Sequence, residues 1–548
     1  MPFTKNPSIS TYDTKRENFV ISPLQRSASS PNKDAIISNM LVEMVDSADK
    51  QNNKIFVKSR PGLSSVYSHT AGVGRGIYYW KVSGVGYIIY VIGNSVYSNG
   101  ALLQTIGTST GEVGFTEHVS STGTNTLIMV DGTAGYFFTS PTVAATQMTA
   151  AVYSAWTAST SLPANGVYRP VVSNGFTYRV TVAGTTGATE PTWPTTAGAT
   201  VANGSVTFTC EVYGFPTPHI PQPIVMDGYL FLAKAGTHDI YNSDLDSPTK
   251  WTPGDFISAE MYPDTIVSLS KNNNYIYAVG SSSVEYLYDA ANATGSPLSK
   301  HDSAVQQFGA AASGAVVQTD KEVVLIGATD NGGHTVWAIE GFKSTEIGTP
   351  AVRSMLRAEG SSLSSAIGHC IRASGQKLYL IHLSTKSLCY SFDTKMWCLW
   401  TSGVTGNDNF LGTHSADGSN GMAYILGEAS GKVYQISESY FTDDGAAFLC
   451  QIVTPKYDYD TMNRKFCARL SLVGDIPDST GAGNIVQVSW SDDDYQSWVT
   501  NRDLSFDFDF PMIAQLGNFR RRAYRFQYSQ PYLLRLEGFE VDINKGNQ

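Results

Sequence analysis

The sequence predicts an all-β protein: a β-propeller of six or seven blades, interrupted by a small β-module and followed by a β-rich C-terminal region. Three observations carry this reading. The first is composition. In 548 residues the chain holds 50 glycines, 30 tyrosines and 24 phenylalanines, which suits short strands joined by tight turns, because aromatic rings pack well on pleated surfaces and glycine supplies positive φ. The second is a recurring hairpin pattern, and the third is the spacing of its copies.

The hairpins read GYIIYVIGNSVYSNG (86–100), TLIMVDGTAGYFFTS (126–140), GYLFLAKAGTHDIYNS (228–243), NYIYAVGSSSVEYLYDA (274–290), VVLIGATDNGGHTVWAIEG (323–341), KLYLIHLSTKSLCYSFD (377–393) and MAYILGEASGKVYQISES (422–439). Each alternates apolar with small or polar residues on both arms of a turn, which is the period of a strand. Their starts lie about 40 to 54 residues apart, save one gap of about 100 between the second and third copies. A hairpin-bearing unit of ~40–50 residues is the blade of a propeller, where radial repetition hides strand edges. A β-sandwich with long connections is the competing arrangement. The choice between six and seven blades turns on whether the first and last strands of the ring share one blade.

The length exceeds what one core supports, since single cores stop growing near ~250–300 residues. Residues 1–60 are polar and punctuated and read as an N-terminal arm; 61–152 and 214–440 read as the two parts of the propeller. The long gap holds an insert, 153–213, with strands at 176–182 and 205–212 around GTTGATEPTWP (184–194). Residues 441–548 form the C-terminal region, which either completes the propeller or forms a contact between copies. No long amphipathic helix is evident; the best helical candidate, SAVQQFGAAASGAV (303–316), is weakened by its glycines.

Charge narrows the function. Charged residues make up 15% of the chain and the net charge is −10, which argues against a protein that grips nucleic acid, since that affinity comes from Lys and Arg displacing counterions. The first residues lack an apolar signal segment and no run approaches a membrane span, so a soluble chain made in the cytosol is expected. Six cysteines without a CxxC pair are expected to be free and mostly buried.

The chemical inventory predicts no catalytic residues, no cofactor and no metal site. GTSTG (107–111) matches a nucleophile elbow in letters, but a strand and turn follow it where a helix is needed. GVGRGI (72–77) and GEASGKV (427–433) miss the dinucleotide and phosphate-loop patterns. SWSDDDYQSW (489–498) resembles the Asp-box of sialidases and other propellers at Ser491, Asp493, Ser497 and Trp498, with Tyr495 in place of its glycine, and reads as a structural turn. FRRRAYRFQY (519–528) is the one basic cluster, and reads either as a strand whose arginines alternate outward toward nearby acids or as a subunit or partner contact through Arg520, Arg521, Arg522 and Arg525, ahead of a grip on nucleic acid.

NMLVEMVDSADKQNNKIFVKSRPGLSSV followed by GVGRGIYYW resembles the opening of the packaged-DNA stabilisation proteins, the tail hub or nozzle proteins of short-tailed phages. The marks are Pro61, Gly62 and Leu63, then Gly74, Arg75 and Gly76, later the pair Val284 and Glu285 and the run 334–356. The resemblance implies a homo-oligomeric ring, typically of six copies, in the virion tail and assembled in the bacterial host's cytoplasm. Its implied partners are the adaptor or head-to-tail connector ring, tail fibres or spikes, a tail needle or plug, and genomic DNA passing non-specifically through the channel. The opening of the insert is similar to a small β-module of phage tail and fibre proteins, which implies an alternative: a host-surface carbohydrate binder acting through Trp193, Glu190 and Tyr178.

Overall fold

The computed structural model describes residues 13–19, 35–45, 54–329, 333–419, 421–475, 484–506 and 511–546. They divide into two compact units: one of Met1–Ser68, Ile347–Gly427 and Lys432–Gln548, the other of His69–Glu346 and Glu428–Gly431.

The second unit carries the regular repeat. Antiparallel four-stranded meanders run over 74–105, 114–147, 224–258 and 266–306, and a fifth over 309–346 adds the short strand Val317–Gln318. The predicted hairpins form their middle strands. Strict alternation then buries both faces of each sheet. In Asn125–Val130, Leu127 and Met129 pack on Trp80, Ile89 and Val91 of the preceding sheet, while Ile128 and Val130 pack on Leu230, Leu232 and Trp251 of the following one. Phe231 and Ala233 face onward to Ile276 and Ala278, and Tyr277 and Val279 onward again to Val323 and Leu325. Each such apolar side chain contributes about 1.5–3 kcal/mol on burial, and sheets stacked successively on both faces are the packing of propeller blades.

The insert leaves this unit after the sheet over 114–147. Ser154–Ala155, Val167–Arg169, Phe176–Val182, Val206–Val212 and Thr200–Asn203 form its main sheet, and Ser161–Leu162 pairs with Gly184–Thr185 beside it. Trp156, Leu162, Tyr178, Val180, Val206, Phe208 and Cys210 make its core.

In the first unit, Gly412–Asp417, Ala423–Gly427 and Lys432–Ser437 are completed by the early strand Gly62–Ser68, so strands from both ends of the repeat region share one sheet, as the sequence allows. Ile367–Ala373, Gln376–His382, Ser387–Ser391 and Met396–Ser402 form a further four-stranded meander. It continues through Ile36–Ser38 into Cys450–Val453, Ala523–Tyr528, Ile485–Ser491 and Arg502–Ser505. A second sheet joins Met40–Val45, Lys54–Ser59, Arg535–Lys545, Lys465–Asp475 and Met512–Ala514, with Asp13–Asn18 along Arg535–Lys545. Segments of 1–60 are thus woven into these sheets; the remainder of that arm lies outside the described residues.

The helical reading of 303–316 is corrected. Leu298–Gln306 is a strand, and only a single 3-10 turn forms at Ser313–Ala315, because backbone pairing with Val284–Asp289 takes up the start of the segment and the glycines disfavour a helix. Among the described residues the one α-helix is Pro350–Glu359. Thr349 caps it by accepting from Val352 N–H at 3.3 Å, Pro350 opens it, and Gly360 closes it at φ 56°. That Thr-Pro pair is the local sequence signal for this helix start.

Candidate functional site

The short motifs that mark the chain fold into buried ionic nodes. Arg60, ahead of Pro61-Gly62-Leu63, is fully buried. All five of its N–H donors are used: to Asn39 Oδ1 (2.9 Å), the Pro61 carbonyl (3.0 Å), the Thr401 carbonyl (3.1 Å), and both Asp443 carboxylate oxygens (2.9 and 2.6 Å). Its guanidinium also lies 3.9 Å from the centroid of the Phe448 ring. Beside it Gly62 N–H donates to the Tyr440 carbonyl at 2.6 Å, and a Cβ on Gly62 would sit 2.3 Å from the Thr442 carbonyl oxygen. Only glycine lets these two backbones meet.

Arg75 of the second motif is likewise buried and uses all five donors, here without a carboxylate. It donates to the carbonyls of Gly111 (2.7 Å), Gly93 (2.9 Å), Thr108 (2.9 Å) and Thr110 (2.8 Å), and to Thr108 Oγ1 (2.9 Å). GTSTG is therefore the loop wound around Arg75, with no helix behind Ser109. Thr108 Oγ1 passes the link on to Asp131 at 2.7 Å. A Cβ on Gly76 would meet the Val113 carbonyl at 2.2 Å, so the glycine beside Arg75 is also dictated by close backbone.

That loop delivers Glu112 to a junction of three connections in the same unit. Gln222 Nε2 donates to Glu112 Oε2 at 3.1 Å, and Ser313 Oγ donates to Gln222 Oε1 at 3.3 Å. Burial pushes the Glu112 carboxyl up to about 7. Glu285, of the Val-Glu pair, is also buried and takes the Met261 N–H at 2.8 Å, and burial raises its carboxyl too. In the first unit the buried imidazoles of His369 and His382 stack 6.1 Å apart, centroid to centroid, with the half-buried His414 near both. Burial lowers His382 and His414 to about 4 and His369 well below the ordinary imidazole range, with neighbouring imidazoles assisting at His369 and His382.

The acidic turn and the basic cluster meet. Asp493 takes the hydroxyl of Ser491 at 2.8 Å and the Ser497 N–H at 2.9 Å, the contacts of an Asp-box turn, and these hydrogen bonds hold its carboxyl down at about 2. Asp492 receives Arg522 through both oxygens at 2.7 and 2.8 Å, and Asp494 pairs with Arg521 at 3.3 Å. Arg522 is buried over the Phe519 ring, so the arginines do not all alternate outward. Arg520 is exposed and donates to the Met462 carbonyl at 2.7 Å; Arg525 donates to Ser489 Oγ at 3.0 Å and lies over Trp498.

In the insert, Trp193 turns toward the module. Its ring lies 4.3 Å from Tyr178 and 5.1 Å from Phe208, centroid to centroid, and its Nε1 donates to Glu190 at 2.9 Å. Glu190 also accepts the Val171 N–H at 2.7 Å, and the Tyr178 hydroxyl donates to the Pro194 carbonyl at 2.7 Å. The structure brings these three side chains together and engages each with the module itself.

Among the described residues no group of three His, Cys, Asp or Glu is placed to hold a metal, and none of the six cysteines forms a disulfide. The fold is that of a propeller protein, in which buried charges hold loops and sheets. Residues 27–440 match the family described as "Bacteriophage P22 Gp10, beta-propeller", and the chain belongs to that family: it is a structural phage protein. No curated protein matches it. Similar solved structures include the extracellular domain of a putative one component system from B. thetaiotaomicron (11% identity over 69% of this chain and 40% of that one, TM-score 0.37). Others are the N-terminal domain of Nup159 (8%, 74% and 99%, 0.36) and the Cps50 (Swd1) β-propeller domain of Myceliophteria thermophila (6%, 68% and 98%, 0.30). The chain spans 40% of the length of the first of these.

Proposed function

We propose that the chain is the tail hub, or nozzle, of a short-tailed phage: a ring, of six copies, that continues the portal and adaptor channel, retains the packaged genome and conducts it at ejection. The supporting observation is the family match over 27–440, which spans the repeat region and both node arginines, Arg60 and Arg75. Charge agrees with it. At a net charge of −10, the surface repels phosphate instead of binding it, which lets DNA slide through. The node arginines are spent on carbonyls and on Asp443 inside the protein, leaving them no part in holding DNA.

In this reading the partners are the adaptor ring above, fibres or spikes and a needle or plug around and below, and DNA in passage; the place of work is the virion tail, after assembly in the host cytoplasm. The experiment is electron microscopy of the purified protein with its adaptor. Closed rings are expected; monomers alone and with every portal–adaptor complex would overturn the reading.

A further inference from the structure

In the first unit, one pair of cysteines stands face to face across a strand ladder. Ser387–Ser391 and Met396–Ser402 are the arms of a hairpin, turned at Lys395 with φ 56°, and Cys389 lies directly opposite Cys398 in their antiparallel register. Directly opposed residues point to the same side of a sheet. Here both side chains enter the core that holds Leu378, Leu380 and Trp400, and the Cys398 side chain is within hydrogen-bonding reach of the Cys389 thiol. The other four cysteines face other residue types in their ladders: Cys370 faces Tyr379, Cys450 Tyr528, Cys210 Tyr178 and Cys467 Ile543. Cys370 also falls on the opposite face of its sheet, since its neighbour Ile371 is the one that joins this core. Opposed residues of an antiparallel pair hold their Cα atoms about 4.5 or 5.5 Å apart, according to the kind of pair, and a disulfide spans Cα separations of about 4.4–6.8 Å. Either spacing suits a bridge without movement of the backbone.

We propose that Cys389 and Cys398 are a latent disulfide, held as thiols in a reducing environment and closed by a low-molecular-weight disulfide in an oxidising one, such as the medium outside a host cell. One cysteine, as thiolate, attacks a sulfur of the reagent, forming a mixed disulfide and expelling one reagent thiolate. The second cysteine, as thiolate, attacks the protein sulfur of that intermediate, forms the Sγ–Sγ bond and expels the other. Two protons and two electrons pass from the cysteines to the reagent, which leaves as two thiols. Burial sets the rate. Cys389 is fully buried and Cys398 is 7% exposed; burial raises the Cys389 thiol well above its ordinary range, so little thiolate is present and the reagent enters only when the hairpin opens. The closed bridge acts on the Arg60 node. Leu399 pairs with Ser38, and the Thr401 carbonyl accepts from Arg60 at 3.1 Å, so a staple between the two arms restrains the strand that carries that acceptor.

The test uses the full chain. Protein is held for days with oxidised glutathione, in buffer and in denaturant just below the unfolding midpoint, where the hairpin opens more often. It is then alkylated in full denaturant and digested without reduction for mass spectrometry; cleavage after Lys386 and Lys395 places the two cysteines on separate peptides. The expected product joins these two peptides and is lighter by two hydrogens than their unmodified sum, forming sooner in the denaturant arm, with the other four cysteines alkylated. Hydrogen exchange in 387–402 should slow by roughly tenfold or more in the oxidised protein. Dithiothreitol should restore the starting rate, and Cys398→Ala, treated alike, should show neither bridge nor slowing. A glutathione adduct that persists at either cysteine, a bridge to any other cysteine, or both cysteines alkylated after both arms overturns the proposal.

Discussion

Arg60 and Arg75 are two solutions to one problem, a guanidinium with no access to water. Each uses five N–H donors, yet Arg60 spends two on Asp443 while Arg75 spends all five on neutral oxygens, four of them main-chain carbonyls. Arg60 ties distant parts of the first unit together, through Asn39, Thr401 and Asp443. Arg75 shapes one loop of the second. The difference teaches that a buried arginine serves as a long-range strap when a carboxylate is supplied from elsewhere in the chain, and as a template for a turn when it is not.

The contrast can be broken by substitution. Arg60→Ala leaves Asp443 buried and uncompensated and should cost about 3–5 kcal/mol, read as a lowered denaturation midpoint of the first unit; Asp443→Ala should cost a similar amount. A loss under about 1 kcal/mol from either would refute the strap. Arg75→Ala strands neutral carbonyls, which recover partners more easily, and should cost about 2–3 kcal/mol, with hydrogen exchange rising in 107–113 and not in the first unit.

The smallest effect is one of pH. His369, His382 and His414 have folded-state values below the ordinary imidazole range, so the unfolded chain binds more protons and the first unit loses stability as pH falls from about 6.5 toward 4. Glu112 has its value raised to about 7, so the folded second unit binds more protons and loses stability as pH rises from about 4.5 to 7. Between pH 7 and 6 the two units should move in opposite directions, each group contributing less than about 1.4 kcal/mol. Segment-resolved hydrogen exchange checks this, and Glu112→Gln should weaken the response of the second unit and leave that of the first unchanged.

Much of the fold was legible because its signal is local. The seven hairpins carry period-two alternation, and the broken spacing between the second and third exposed the insert. What stayed hidden depends on pairing across the chain. Asp443 lies 383 positions from Arg60, and Ile36–Ser38 and Asp13–Asn18 find their partners near the C-terminus; no window of sequence contains both halves. Arg60 and Arg75 went unread as nodes although each stands beside glycines that only tight backbone approach requires. Trp193 was legible as a feature, and its direction was not, since that depends on Tyr178 and Phe208 closing over it.

The most direct measurement is electron microscopy of virions bound by an antibody fragment raised against the insert, residues 153–213. For a tail hub, a symmetric ring of label is expected on the tail axis, beneath the portal and adaptor. Label on the capsid shell, label confined to the fibres, or virions that carry none of this protein would contradict it.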